Sequence, residues 1–403
     1  TYTYPNICLS ITFLCTYIMS SETGSIVKNI LKYDDAWCKA LGIFNPYLDP
    51  YKVHFTNSLP MYDSSAYTKY PQHQFVYDKL LIAQTQNVPC GILADIDIGN
   101  GSGNGDSSDV SYPIFIKPRW GHKSASSKNC YKIKRVEDLL PHLDKEDMIW
   151  TDFIDARETM TDFLMVDGKV MYQMTSVYSD KQNGFIDDWK HISAKNEPPP
   201  KIVAWVAKHM TNYTGVCNVQ YRGDIIIEVS LRLSRGGCYI KSTDNPNLVR
   251  QVNHIIDEGR WDHTITDLDY VPFYSFKCYT KLPIVYLLPQ HVIDGIMRQG
   301  GCKSFYEYFF EPSGSSGMVF FQFLHHDFDE GMRVKRVIEL VTDAMQVLFV
   351  LALLLIVVMF VYYPGYKNRW LVVYVVVLMF ISRFINPLST NYGLFKAQRQ
   401  QMF

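Results

Sequence analysis

The stretch CNVQYRGDIIIEVSLRLSRGG, residues 217–237, decides the fold. Two runs rich in β-branched residues flank Gly223-Asp224, a dipeptide suited to a tight hairpin turn. Side chains alternate along a strand, so Glu228 and Ser230 share one face and Arg232 follows on it. Gln220 lies on the paired strand across the hairpin. That face gathers amide, carboxylate and hydroxyl oxygens beside a guanidinium.

Working outward, WTDFIDARETMTDFLMVDGKV (150–170) continues the strand pattern. MIWTDFID, TMTDFLMV and KVMYQMTSVY read as three successive strands, with Asp167-Gly168 as the turn between the last two. Upstream, YPIFIKPRWGHKSASSK (112–128) reads as a strand bounded by prolines. Lys117 stands at its end, before a small polar turn holding Gly121, Ser124, Ser126 and Ser127. First in order is FVYDKLLIAQTQNVPCGIL (75–93), where Asp78-Lys79 opens a helix. Three prolines at 198–200 precede a helix over 201–211. The body, 21–340, is α+β with antiparallel sheets and no internal repeat.

These four pieces, in this order, resemble the ATP-grasp superfamily, most closely the ATP-binding part of carbamoyl-phosphate synthetase and related carboxylate–amine ligases. The resemblance covers about residues 75–240 and rests on the Asp-Lys helix start, the strand-end Lys-Pro before a polar turn, the acidic segment after 150, and Asn-Val-Gln followed by Glu-x-Ser-Leu-Arg. It implies a fold in which two α/β subdomains clasp a nucleotide, with ATP and Mg2+ as cofactors. Carried over residue by residue, Lys79 and Lys117 meet the phosphates. The turn with Gly121, Ser124 and Ser126 folds over them, Trp150, Thr151, Asp152 and Phe153 offer backbone groups to adenine, and Glu158 accepts from the ribose. Gln220, Glu228 and Ser230 hold the metal. Arg232 and Lys117 are the catalytic pair at the transferred phosphoryl group.

The residue chemistry agrees, because phosphates need long flexible cations and backbone N–H groups. Taken singly, a strand-end Lys is ordinarily solvated and a Glu-x-Ser-x-Arg alternation is ordinarily the wet face of a sheet; the order of the four pieces carries the reading. The sequence departs from the family pattern where Ser230 and Leu231 replace Asn and Pro, in a turn with Gly121 as its one glycine, and at Ala156-Arg157 in the hinge. The implied activity is a ligase that makes an acyl phosphate from ATP and a small carboxylate for attack by an amine-type nucleophile. The alternative is a degenerate ATP-grasp domain kept as a structural or interaction module at a membrane. The substrate's identity is not legible.

Toward the C-terminus, AMQVLFVLALLLIVVMFVYY (344–363) has no charge over twenty residues, enough to cross a hydrocarbon core of roughly 30 Å as a helix. Pro364-Gly365 breaks it, and a second apolar run follows over 370–387, interrupted by Arg383. The expected result is a two-pass transmembrane hairpin. Arg333, Lys335, Arg336, Lys396 and Arg399 outside the hairpin outnumber Lys367 and Arg369 in its loop, placing the body on the cytoplasmic side. A transporter is excluded, since two spans with one charge cannot build a pathway. Residues 7–19 are apolar, and two readings are expected equally: a short membrane-associated leader, or upstream translated sequence over 1–18 with Met19 as the start.

The expected organisation is therefore a leader (1–20), a lead-in region (21–110), a small ATP-grasp subdomain (111–175), a metal-binding subdomain (176–260), an extension (261–342), the hairpin (343–388) and a tail (389–403). GNGSGNGDSSD (99–109) and EPSGSSG (311–317) read as flexible loops, and the first fits neither common phosphate-loop pattern. His325-His326-Asp327 reads as solvated surface.

Composition agrees with a globular body: of 403 residues, 47% are hydrophobic and 20% charged. Thirty-nine basic against 40 acidic side chains give no electrostatic call for nucleic acid. Nine cysteines without a CxxC pair indicate neither zinc ribbon nor disulfide framework, and suit a reducing compartment. Self-association is left open.

Overall fold

The computed structural model describes residues 54–96, 110–123, 129–180, 182–183, 186–280, 290–305 and 318–362. The leader, the loops at 99–109 and 311–317, Ser124, Ser126 and Ser127, and the second apolar run at 370–387 lie outside the described residues.

Two antiparallel sheets organise the described chain. The smaller contains β1 (Cys90–Ile92), β2 (Ile114–Pro118), β3 (Tyr131–Ile133) and β4 (Met148–Asp152), in the order β1-β4-β2-β3. The larger draws on β5 (Glu158–Val166), β6 (Lys169–Tyr178), β9 (Trp189–Ile192), β10 (Gly215–Arg222), β11 (Ile225–Ser230), β12 (Phe273–Thr280), β13 (Lys303–Phe305) and β14 (Met318–His325). Its order is β11-β10-β5-β6-β9-β12-β14-β13. A small ribbon of β7 (Gln182–Asn183) and β8 (Ile186–Asp187) stands apart. The helices are α1 (Asp63–Lys69), α2 (Lys79–Gln84), α3 (Val136–Leu139), α4 (Pro200–His209), α5 (Cys238–Ser242), α6 (Pro246–Glu258), α7 (Gln290–Gln299) and α8 (Phe328–Tyr362).

The sequence explains the joints. Asp167 and Gly168 both take positive φ (48° and 73°), as the two-residue turn between β5 and β6 requires. At the β10–β11 turn Gly223 has φ 58°. α6 starts with Pro246 behind the Asn245 cap, whose side chain accepts from Asn247 N at 2.9 Å, and stops at Gly259 with φ 68°.

Alternation buries both faces of the large sheet. Met160, Leu164 and Val216 pack toward Leu248, Val249, Val252 and Ile255 of α6. Their neighbours Phe163, Met165, Cys217, Val219 and Tyr221 pack toward Ile202, Trp205 and Val206 of α4. Farther along, Phe276, Cys278, Phe321 and Phe323 pack on Val334 and Ile338 of α8 and on Ile293 and Met297 of α7. The face of the large sheet that meets α6 also carries nearly all the polar residues discussed below.

α8 continues without a break through the charge-free run to Tyr362, and its described side chains there include exposed Val347, Leu348, Leu351, Leu354 and Val358. Side chains are described for only part of that run, and no helix among the described residues is long and apolar enough to cross a membrane. The six described cysteines are all unbridged.

Candidate functional site

The site forms where β2 of the small sheet meets β11 of the large one. Lys117, 8% exposed, sends its Nζ across the seam to the Ile227 carbonyl at 2.9 Å. Lys79, 5% exposed, reaches the Glu228 carboxylate at 3.2 Å. Glu228 lies directly opposite Gln220 in the β10–β11 ladder, and Ser230 directly opposite Asn218. Lys79, Lys117, Gln220 and Glu228, drawn from three separate stretches of sequence, therefore converge.

A part-buried clamp holds the two lysines in place. Asp78 caps α2 by accepting from Leu80 N at 3.0 Å. The same carboxylate takes a two-pronged contact from Arg119, with Nε at 2.9 Å and Nη2 at 2.6 Å. Arg119 follows Lys117 by two residues, and its carbonyl accepts from Lys79 N at 3.0 Å. One ion pair thus ties the helix that carries Lys79 to the strand end that carries Lys117. Gly121 is buried behind them: a Cβ there would meet Tyr77 at 3.4 Å and the Lys79 stem at 3.6 Å.

Electrostatics mark the seam as a place for negative charge. Burial, reinforced by Lys79 nearby and partly opposed by Glu228, pulls the Lys117 ammonium down to about 8. An anion placed between the lysines would relieve both the burial cost and the mutual repulsion. Cys130 joins the same environment, and burial raises its thiol above the ordinary value.

Several carried-over residues have other commitments. Glu158, expected at the ribose, accepts from Arg222 Nη2 at 2.9 Å. Arg232, expected at the phosphoryl group, is paired with Asp63 at 2.7 Å and also donates to the Leu233 carbonyl. Burial weakens the Arg232 charge, but Asp63 more than restores it and raises the guanidinium above its usual value. β4 is an inner strand with β1 on one side and β2 on the other, so Trp150 and Thr151 lie within a double ladder. Asp152 N donates to the Pro89 carbonyl at 3.0 Å and Phe153 N to the Pro113 carbonyl at 3.2 Å. Those two N–H groups are engaged by backbone carbonyls.

Ser230 is buried, at 3% exposed. Its ladder partner Asn218 donates to Asp162 Oδ1 at 2.9 Å, and Asp162 also accepts from Ser234 N at 2.8 Å and from its hydroxyl. This polar knot anchors the chain just beyond Arg232. Among the described residues, no group of three or more His, Cys, Asp or Glu could hold a metal ion. Glu228 with Gln220 does supply one carboxylate and one amide oxygen facing the lysines, which fits a magnesium ion that takes its remaining ligands from phosphate and water.

Sequence reasoning missed Arg119, Asp63, Arg222 and Asp162. Arg119 was within reach, since an Arg two residues after a strand-end Lys points to the same side of the strand. Asp63 and Arg222 pair with residues 169 and 64 positions away, separations that no local pattern discloses.

No protein-family model matches the chain, and no curated protein does. Among solved structures it is similar to an L-amino acid ligase from Bacillus licheniformis, at 15% identity and TM-score 0.44, over 68% of this chain and 72% of that one. It is also similar to an N5-carboxyaminoimidazole synthase from Aspergillus clavatus in complex with ADP and 5-aminoimidazole ribonucleotide, at 12% identity and TM-score 0.48, over 70% of this chain and 80% of that one. A third is the N5-carboxyaminoimidazole ribonucleotide synthetase from Thermotoga maritima, at 13% identity and TM-score 0.44, over 68% and 74%. At these identities and scores the likeness assigns no activity or ligand to this chain.

Proposed function

We propose that the chain binds ATP with magnesium at the seam between the two sheets and uses it to activate a carboxylate as an acyl phosphate, which an amine-type nucleophile then attacks. One observation carries the reading: two buried lysines from α2 and β2 meet the Glu228 carboxylate of β11 at 3.2 Å and the neighbouring Ile227 carbonyl at 2.9 Å. Buried lysines are rare because desolvation is costly, and polyphosphate is the ligand that most repays placing two together.

In this reading Lys79 leaves Glu228 and turns to phosphate, while Lys117 keeps its place at the strand end. Glu228 and Gln220 then face the metal, which would neutralise charge developing on the transferred group. The Asp78–Arg119 clamp orients both lysines, so the protein's part is positioning and charge stabilisation rather than covalent chemistry. Arg232 acts at the phosphoryl group only after loosening from Asp63, and Glu158 reaches a ribose only after loosening from Arg222. These two pairs favour the second reading, a degenerate domain retained as a structural module.

The deciding experiment is ADP formation by the full chain over a panel of amino and carboxylic acids. The ligase reading expects ADP in the presence of an acid–amine pair. Nucleotide binding without any ADP formation supports the module.

We also propose that α8 continues into a two-pass membrane anchor with the body on the cytosolic side. The support is the charge-free run to Tyr362, its exposed apolar side chains, and the excess of basic residues outside the hairpin. Protease added to sealed vesicles with the cytosolic face outward should digest the body; full protection would reverse the topology.

A further inference from the structure

Two buried polar atoms stand without partners at one corner of the site. Arg232 meets Asp63 of α1 through Nε at 2.8 Å and Nη2 at 2.7 Å, and both contacts fall on Oδ2. The other oxygen, Asp63 Oδ1, is buried and has no hydrogen-bond partner among the described residues. The second such atom is Nδ1 of His122, in the turn Gly121–Lys123 that follows β2. A carboxylate oxygen only accepts, whereas an imidazole nitrogen becomes a donor by taking a proton. The two orphans therefore have complementary needs.

Packing brings them to the same place. α1 packs on the Gly121–Lys123 turn. The His122 ring stacks on the Tyr67 ring, with centroids 3.9 Å apart and planes 21° apart. Tyr67 follows Asp63 by four residues, so both stand on one face of α1. A helical side chain leans toward the N-terminus and covers the turn before its own, which lays the Tyr67 ring, with His122 on it, toward Asp63. Tyr77 closes the corner: its ring lies 5.6 Å from that of Tyr67 and 5.7 Å from that of His122. Its hydroxyl accepts from Leu231 N at 3.0 Å, one residue before Arg232.

The charges around the ring come from four elements. Asp63 and Tyr67 belong to α1, Tyr77 to the helical turn at 71–77, Lys123 to the ring's own turn, and Arg232 to the chain just beyond β11. Burial holds the His122 imidazolium below the ordinary histidine value; Lys123 acts the same way and Asp63 opposes both. The Asp63 carboxylate also acts on Tyr77 and Arg232. While Arg232 is closed on Asp63, the imidazole has no carboxylate to itself. Once Arg232 withdraws toward an anion, Asp63 is left as a part-buried charge without its partner, a costly state that a neighbouring cation relieves.

We propose that His122 is a positioning residue for Arg232: as the guanidinium leaves Asp63 for phosphate, His122 takes one proton on Nδ1 and replaces it at Asp63 Oδ1. The proton comes from water, and Asp63 faces one positive charge before and after. The trigger rests on the nucleotide reading, while the exchange itself stands on the cluster. It follows that MgATP binding takes up a proton and strengthens as pH falls through the histidine range.

Two measurements on the full chain test the exchange. In the first, NMR of protein isotope-labelled at histidine follows the His122 ring through a pH titration, its signal being identified by its loss in His122→Gln. Arg232→Gln should raise the pH at which His122 titrates by at least about one unit. Asp63→Asn should lower it, and keeps the test open if Arg232→Gln fails to fold. A His122 that titrates as in the parent in either variant overturns the exchange. In the second, MgATP is titrated calorimetrically at about pH 6.5 in two buffers of unlike ionisation enthalpy, which counts the protons taken up. The parent should take up at least about half a proton more than His122→Gln, because Lys117 and the nucleotide contribute alike to both. A merely structural imidazole would alter stability and leave the two counts equal, and equal counts overturn the proposal. A parent that binds no MgATP rejects the nucleotide reading, and the histidine titration then decides the exchange by itself.

Discussion

The two ionic clusters share a sheet face but are placed differently. At the seam, Lys79 and Lys117 are met by Glu228 and a backbone carbonyl, and Asp78 with Arg119 braces them from behind. Around Asp187, Lys190 and Lys277 approach one buried carboxylate, whose second oxygen has no hydrogen-bond partner. Each sets two lysines against one carboxylate, but the seam joins two sheets while the Asp187 cluster lies within one. Such a cluster tolerates losing one cation better than losing its carboxylate.

The largest effect follows from that asymmetry. Asp187→Ala removes the carboxylate that Lys190 and Lys277 both approach and should cost about 3–5 kcal/mol, as breaking a buried pair does. Lys277→Met leaves Asp187 with Lys190 and should cost less than about 1 kcal/mol, because the apolar chain fills the same space. Urea unfolding of the two variants measures both. Equal losses would mean the cluster is an ordinary balanced pair.

Next is the seam's affinity for nucleotide. Lys117→Ala removes one charge-assisted phosphate contact, about 1.5–3 kcal/mol, and should weaken MgATP binding about ten- to hundredfold. If that variant binds MgATP as tightly as the parent, the lysine assignment fails.

A smaller effect is pH dependence. Lys117 titrates at about 8 in the unliganded protein, below its ordinary value, and phosphate binds its protonated form. The contact is therefore present below pH 8 and lost as pH rises through it. Between pH 7 and 9 MgATP affinity should fall about tenfold, since one unit above the pKa about one lysine in ten keeps its proton. Lys117→Arg should flatten the profile, because guanidinium stays charged throughout.

The smallest effect is a control at an exposed pair. Lys201 and Asp224 meet at 3.1 Å with side chains 56% and 55% exposed. Lys201→Met should change stability by no more than about 0.5 kcal/mol. A larger loss would show that burial is not what separates the clusters from the surface.

The same contrast explains what the sequence disclosed. The strands at 148–178 and the 217–230 hairpin were legible because alternation and paired turn residues such as Asp167-Gly168 are local signals. Lys79, Lys117, Gln220 and Glu228 were legible because each sits at a fixed offset from an element end: a helix start, a strand end, a ladder position. That β1 and β2 both pair with β4 was not legible at Trp150–Asp152, because the partners lie far away in the sequence. Asp187 and Lys277 were invisible, being 90 residues apart. Only the β9–β12 pairing brings them together.

The most direct measurement is calorimetric titration of the full chain with ATP at pH 7, with and without magnesium, on the parent and on Lys117→Ala and Glu228→Ala. The account predicts saturable one-to-one binding by the parent, weakened about tenfold or more in Lys117→Ala, with the magnesium dependence lost in Glu228→Ala. A parent that binds no ATP at millimolar concentration, or that binds it equally well without Lys117 and Glu228, would contradict it.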